Sequence, residues 1–212
     1  MVVLDNLPKN TRGALEKLAG AAFIKKFYLA GGTAATLFFR HRESKDLDFF
    51  SEDHFRTPTL IRHLAKIGSF VTTKTAEDTL EGRFEKVKIS FFTLPYKLLE
   101  KSLKYKNMRI ASLVDIATMK ILAISDRGTR RDFIDLYCLA TRVKPLDKLL
   151  LDFERKFGKY DYNLHHIIAS LTYFKDAEEE PIPHLYIDLE WKNVKRFFLH
   201  EKPLLAKKFL IG

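Results

Sequence analysis

Asp46 and Asp48 stand one residue apart in Lys45-Asp46-Leu47-Asp48-Phe49-Phe50. On a strand, residues i and i+2 leave the same face, so both carboxylates point one way while Leu47 and Phe49 point the other. Two adjacent carboxylates repel unless a cation lies between them, and a hard divalent ion such as Mg²⁺ (or Mn²⁺) prefers such oxygen ligands. Alone, the pair reads equally well as a solvated strand end. The turn Gly31-Gly32-Thr33 lies upstream, between an apolar run and a helical segment. Glycines admit close ligand approach and unusual dihedrals. The helix that follows offers unpaired N–H groups and the positive end of its dipole, which suits phosphate. Thr33 can cap that helix or lend its hydroxyl to the phosphate. Strand, glycine turn, helix and carboxylate strand, in that order, predict a triphosphate cradle beside a two-carboxylate metal site. That is the arrangement nucleotidyl transfer needs.

The elements that must position these groups follow from periodicity. Residues 8–25 predict a helix, with Pro8 in the first turn and Leu15, Leu18, Ala22 and Phe23 at helical spacing. Phe27 to Ala30 predicts a short buried strand, Thr33 to Arg42 a helix, Leu47 to Phe50 the carboxylate strand, and residues 53–67 another helix. Strands are expected at Phe70–Thr73, Val87–Phe92 and Met108–Ala111. Helices then follow at 112–126, 130–142, 146–157, 162–173 and 191–207. The chain divides into an α/β half, 1–111, and a helical half, 112–212, and the short connections predict that the halves pack together.

Composition bounds the function. The chain has 212 residues, 46% of them hydrophobic, enough for a core without disulfide staples. The single cysteine, Cys138, excludes an internal disulfide framework and points to a reducing, cytoplasmic setting, itself read as a small buried hydrophobe. No apolar run reaches membrane-spanning length. Met1-Val2-Val3-Leu4-Asp5 lacks the basic n-region of a signal peptide, so neither a leader nor a membrane partner is expected. Lys and Arg exceed Asp and Glu by 37 to 27, a net charge of +10, which suggests a polyanionic partner without naming a fold. The basic residues are scattered, and the aromatics read as core residues rather than as a base-stacking surface.

Gly31-Gly32-Thr33 with His41-Arg42-x-Ser44-x-Asp46-Leu47-Asp48-Phe49-Phe50 resembles the AbiEii/AbiGii-type nucleotidyltransferases, within the DNA polymerase β-like superfamily. The block Asp115–Gly128, followed by Arg131-Asp132-Phe133-Ile134-Asp135-Leu136-Tyr137, is similar to the second characteristic block of that family. Tyr173–Pro181 and the segment from Trp191 to Phe198 extend the resemblance over roughly residues 20–200. The resemblance implies an α+β fold, a small mixed sheet with flanking helices followed by a C-terminal helical bundle. It implies Mg²⁺-dependent transfer of a nucleotide from an NTP to an acceptor hydroxyl, on tRNA, other RNA or protein. It also implies a toxin of a toxin–antitoxin or phage-defence system, with a cognate antitoxin protein as partner. Carried over by motif, Asp46, Asp48, Lys120 and Asp132 are the catalytic set, with Asp46 and Asp48 holding metal. Gly31, Gly32, Thr33, Arg42, Ser44 and Arg127 form the nucleotide-binding set.

Each residue of the second block also has a plainer reading. Lys120 lies on a helix whose core face includes Ile116, Met119 and Ala123, and its stem could simply carry the charge out to water. Arg127 would share that face and form a basic strip with it. Asp132 has capping-box spacing from Thr129. Asp135 is expected to pair with Arg131 or Lys144, and Asp176 to Glu180 to be a solvated acidic run. Arg40, Arg42, Arg127, Arg130 and Arg131 are expected to rim the cleft. No acid occurs within Val87–Phe92, where related enzymes place a third carboxylate, and Ser90 shares a face with Lys88. The residues therefore leave two outcomes open: Asp132 or the substrate takes over that role, or the scaffold binds nucleotide, RNA or a protein partner without turnover.

Overall fold

The computed structural model describes residues 3–158 and 162–211, so Met1 and Val2, read above for a leader, lie outside the described residues. The chain forms two compact units, Met1–Ser112 and Leu113–Gly212. The first holds a mixed sheet of seven strands among the described residues, in the order β3-β4-β5-β2-β1-β7-β6. These are β1 (Tyr28–Ala30), β2 (Leu47–Ser51), β3 (Phe70–Ala76), β4 (Thr79–Phe84), β5 (Val87–Thr93), β6 (Leu103–Tyr105) and β7 (Met108–Ile110). Three helices accompany them: α1 (Lys9–Gly20), α2 (Gly31–Phe39) and α3 (Thr57–Ile67).

Strand β1, flanked by β2 and β7, is three residues long and wholly buried, as its apolar run requires. It runs antiparallel to β2 and parallel to β7, while β2 runs parallel to β5. Alternation along β2 places Leu47, Phe49 and Ser51 in the core and leaves Asp48 and Phe50 half-buried on the other face. The core face is tied across strands by Phe49 stacked on Phe91, ring centroids 4.9 Å apart. Two strands escape the sequence pattern, β4 and β6. In β4 the core positions Leu80 and Phe84 are separated by Gly82 and interleaved with Glu81 and Arg83, which reads as a loop. What makes it a strand is pairing on both sides, with β3 and β5. The β4–β5 turn is two residues, Glu85 and Lys86, both at positive φ, the geometry that matches hairpin twist.

Other boundaries shift for local reasons. The first helix stops at Gly20, and a 3₁₀ segment, Ala22–Lys26, replaces its expected end. Helix α2 starts at Gly31 and stops at Phe39 because Arg40 takes the left-handed conformation, φ 48°. Helix α3 begins at Thr57, with Pro58 in its first turn.

The second unit contains α4 (Leu113–Asp126), α5 (Arg130–Arg142), α6 (Leu146–Phe157), α7 (Leu164–Ser170), α8 (Lys175–Glu179) and α9 (Trp191–Ala206). Its core includes Phe133, whose ring meets those of Phe174, Trp191 and Phe198 at 5.1–6.0 Å. The acidic run expected to be solvated keeps Asp176, Glu178 and Glu179 exposed, and it forms the short helix α8. Ala177 is buried, Glu178 pairs with Lys195 at 2.6 Å, and Glu180 accepts the backbone N–H of Arg130 at 3.0 Å. No helix of the described residues is long and apolar enough to cross a membrane.

Helix α4 is buried on most of its circumference, charged residues included. Lys156 of α6 meets Asp115 of α4 at 2.6 Å, both side chains fully buried. Removing one partner of such a pair strands the other charge without solvent. Lys156→Met should destabilise the chain by about 3–5 kcal/mol in urea denaturation, and Asp115→Leu combined with Lys156→Met should recover most of that loss.

Candidate active site

The glycine turn and the carboxylate strand meet in the first unit. Ala30 of β1 lies directly opposite Asp48 of β2, so the next residue, Gly31, arrives beside the carboxylate. Gly31 takes φ +69°, and a Cβ there would stand 2.8 Å from Asp48 Oδ2. The site thus requires glycine twice, for the dihedral and for the space. Helix α2 begins at this residue with neither a side-chain cap nor an acid in its first turn. Its leading N–H groups carry the positive end of the helix dipole.

Thr33 does not cap that helix, a correction to one of its two expected roles. It is the third residue of α2 and is buried, donating its hydroxyl to the carbonyl of Asp46 and meeting Ser44 Oγ at 2.8 Å. Ser44 and Thr33 thereby fasten the segment that delivers Asp46, one residue ahead of β2. Thr11 of α1 adds a bond to the carbonyl of Lys45 at 3.1 Å. Arg42 is buried rather than on a rim, its guanidinium donating to the Glu43 carbonyl at 3.0 Å and its own carbonyl accepting from Thr36 at 3.1 Å. Gly32 is buried within the first turn of α2.

Across the sheet, the row through Asp48 continues to Ser90 of β5 and then to Glu81 of β4. Ser90 occupies the place beside Asp48, and the nearest acid on that row is one strand further out, where Glu81 faces Lys74 at 3.6 Å. Among the described residues, no group of three or more His, Cys, Asp or Glu side chains could hold a metal. Two carboxylates still form a hard-oxygen donor set of the size Mg²⁺ uses when phosphates and water complete its shell. The next row on this face is aromatic. Phe50 lies 5.9 Å from Tyr28 and 5.7 Å from Phe92, with Phe50 and Phe92 half-buried. This corrects the expectation that the aromatics line core faces alone. Strict alternation from Asp48 to Phe50 and from Ser90 to Phe92 was the signal.

In the second unit Lys120 does not extend to water. It is buried and bonded to Asp132 and Asp135, each at 2.7 Å. Met119 and Ala123, expected in the core, are correspondingly half-exposed. Asp135 therefore pairs with Lys120, not with Arg131 or Lys144; Lys144 pairs with Asp152. Arg127 stays largely exposed yet brings Nε to 3.2 Å from Asp132, so the two cations converge on one carboxylate instead of forming a strip. The capping expectation also holds: Thr129 accepts the N–H of Asp132 at 3.3 Å and donates its hydroxyl to Asp132 Oδ2 at 2.6 Å. Arg130, expected on the rim, is buried and donates to the carbonyls of Ala177 and Glu178 at 2.8 and 3.1 Å.

Burial works against ionisation of Asp132, but the charges of Lys120 and Arg127 and the bonds from Lys120 and Thr129 outweigh it, lowering its pKa from 3.8 to about 2.

A family profile described as the nucleotidyl transferase AbiEii toxin of Type IV toxin–antitoxin systems matches residues 13–209. The chain belongs to this family. Its relatives include the uncharacterized protein aq_aa25 of Aquifex aeolicus, 38% identical over 205 residues, covering 92% of this chain and 95% of that one. Among solved structures, JHP933 from Helicobacter pylori has a TM-score of 0.58 at 18% identity, covering 95% of this chain and 94% of that one. The nucleotidyltransferase toxin MenT4 from Mycobacterium tuberculosis has a TM-score of 0.51 at 13% identity, covering 94% and 89%. At these identities the likeness establishes the fold, and it is the nucleotidyltransferase fold. As an AbiEii-family nucleotidyltransferase, the protein is an enzyme of the toxin half of a toxin–antitoxin system, with an NTP as substrate and an antitoxin as counterpart.

Two outcomes follow from this geometry. Gly31→Ala should destabilise the AbiEii-family chain by about 1–2 kcal/mol in urea denaturation, from the left-handed dihedral and the displaced Asp48 carboxylate. The lowered pKa of Asp132 stabilises the fold fully above about pH 4, and that contribution is lost as pH falls towards about 2. Asp132→Asn should therefore flatten the acid limb of the stability profile between about pH 4 and pH 2, a difference on the order of 2 kcal/mol by chemical denaturation.

Proposed function

We propose that the protein transfers a nucleotide from an NTP to an acceptor hydroxyl on RNA, with Asp46 and Asp48 holding Mg²⁺ or Mn²⁺. The observation that carries this reading is the seating of Gly31 against the Asp48 carboxylate, which brings an uncapped helix start to the acidic strand. The bound ion would neutralise phosphate charge and draw the triphosphate and acceptor oxygens together. The chain's own contributions are distinct. The backbone N–H groups at Gly31 and Gly32 hold phosphate oxygens. Thr33, Ser44 and Arg42 act beneath the site, Thr33 by bonding the Asp46 carbonyl so that the carboxylate pair keeps its spacing. Phe50 offers a half-buried ring face two residues from Asp48, suited to stacking against a base.

Lys120 and Arg127 are proposed as phosphate contacts, and Asp132 as the carboxylate that holds both cations. Lys120 lies between Asp132 and Asp135, and Arg127 meets Asp132, so an incoming anion would compete with these carboxylates. The reaction belongs in the cytoplasm, where Cys138 remains a buried thiol.

A second reading rests on Ser90. With a hydroxyl where a third carboxylate would stand, the scaffold would bind nucleotide and metal without transferring it. The two readings separate in one assay. The protein is incubated with each α-labelled NTP, Mg²⁺ and total tRNA, and both label transfer and NTP binding are measured. The enzyme reading expects transfer with at least one NTP. Asp46→Asn or Asp48→Asn should cut it by about 10²–10³-fold or more without lowering the melting temperature. NTP binding with no transfer from any of the four would favour the second reading.

A further inference from the structure

Beside Asp46 lies a cavity of about 540 Å³, walled by the start of α1, the segment before β2 and the β4–β5 hairpin. Its lining includes Lys9, Lys45, Arg83, Lys86 and Lys88, and its one acid is Asp46. Lys45 is paired with Glu43. Lys9, Lys86 and Lys88 are exposed and make no ion pair among the described residues. Elsewhere in the same unit, lysines near acids are paired, as Lys17 is with Glu85 and Lys74 with Glu81. Lysines without an ion pair among the described residues also occur elsewhere in the unit, Lys25, Lys97 and Lys101 among them, but Lys9, Lys86 and Lys88 share one cavity with Asp46.

The arrangement is unfavourable by itself. Arg83 and Lys88 are direct cross-strand neighbours, and like charges at that position repel. Lys86 adds a third cation at the tip of the same hairpin, held at φ 68°. The backbone segments that carry these cations are tied to one another. Lys17 of α1 grips Glu85 in the turn at 2.8 Å, and Glu85 also accepts the N–H of Ser69 at 3.3 Å. Thr11 ties the start of α1 to the Lys45 carbonyl. Five cations that share a cavity with a single acid favour anionic groups there.

We infer that this cavity holds the phosphodiester backbone of the RNA acceptor next to Asp46, an inference that rests on the proposed transfer reaction for its purpose but not for its detection. Phosphate is the shared chemistry of two sources, the NTP and a polynucleotide. The polynucleotide is favoured because the cations extend from α1 to the hairpin tip, on a cavity that the glycine turn does not line. A strand laid along them would pass beside Asp46.

The test measures binding of a labelled single-stranded oligoribonucleotide to the full chain by fluorescence anisotropy across a salt series, in wild type and in Lys9→Gln/Lys86→Gln/Lys88→Gln. Each lost phosphate contact should reduce the slope of log K against log salt by about 0.7, hence by about 2 for three. RNA affinity at low salt should fall at least about tenfold, while NTP binding and the melting temperature stay at wild-type values. If the triple variant melts lower, Lys88→Gln alone should still reduce the slope by about 0.7. Loss of NTP binding with RNA binding intact would overturn the inference and assign the cavity to the triphosphate. Unchanged binding of both would also overturn it, as would equally tight competition by poly-glutamate. RNA binding that depends on these lysines in a protein showing no label transfer would sustain this inference and sink the transfer reading alone.

Discussion

The approach of Gly31 to the Asp48 carboxylate is the contact on which the rest of the site depends. It exists because β1 and β2 pair with Ala30 opposite Asp48, so the chain must turn into α2 at the one place where a side chain would collide with the carboxylate. The remaining features of that unit preserve this register. Phe49 stacks on Phe91 behind the strand, and the bonds from Thr33 and Ser44 hold the segment carrying Asp46. A one-residue slip of β2 would exchange its faces, burying the carboxylate and exposing the phenylalanine ring.

The helical unit depends on a different constraint, the accommodation of buried charge. Asp115, Lys120, Asp132, Asp135 and Lys156 are all buried within a few helical turns of one another. Such charges are tolerable only when every one is paired, and the pairings fix the relative rotation of α4, α5 and α6. This explains why α4 buries lysine while leaving Met119 half-exposed. The hydrophobic stripe alone would have rotated the helix differently, but Asp132 and Asp135 on α5 draw Lys120 inward.

Much of the fold was legible because its elements are locally consistent. The carboxylate strand, β5 and most of the helices carry unambiguous periodicity. Strand β4 was hidden because its inward positions include glycine and its outward positions are charged, so pairing with β3 and β5 overrides a weak local preference. Helix α8 was hidden because it is only five residues long with one buried side chain, Ala177, and contacts from Arg130 and Lys195 help to anchor it. Of the candidate site, the Asp46–Leu47–Asp48 alternation and the glycine turn were readable from spacing. The duty of Thr33 was not, since a threonine near a helix start looks like a cap until its hydroxyl is seen to reach another segment.

The sequence by itself determined which chemistry is available: two strand-borne carboxylates, a glycine turn ahead of a helix, and an excess of ten positive charges. Those follow from residue type and short-range spacing, which the backbone converts directly into faces and turns. The tertiary structure alone decided what each group touches. It placed serine beside Asp48 with glutamate one strand beyond, and drew Lys120 inward between two aspartates. It also gathered lysines from α1 and a hairpin around one cavity, although they are scattered along the chain. The physical reason is that these contacts join residues many positions apart, whose meeting depends on strand order and helix rotation rather than on local sequence.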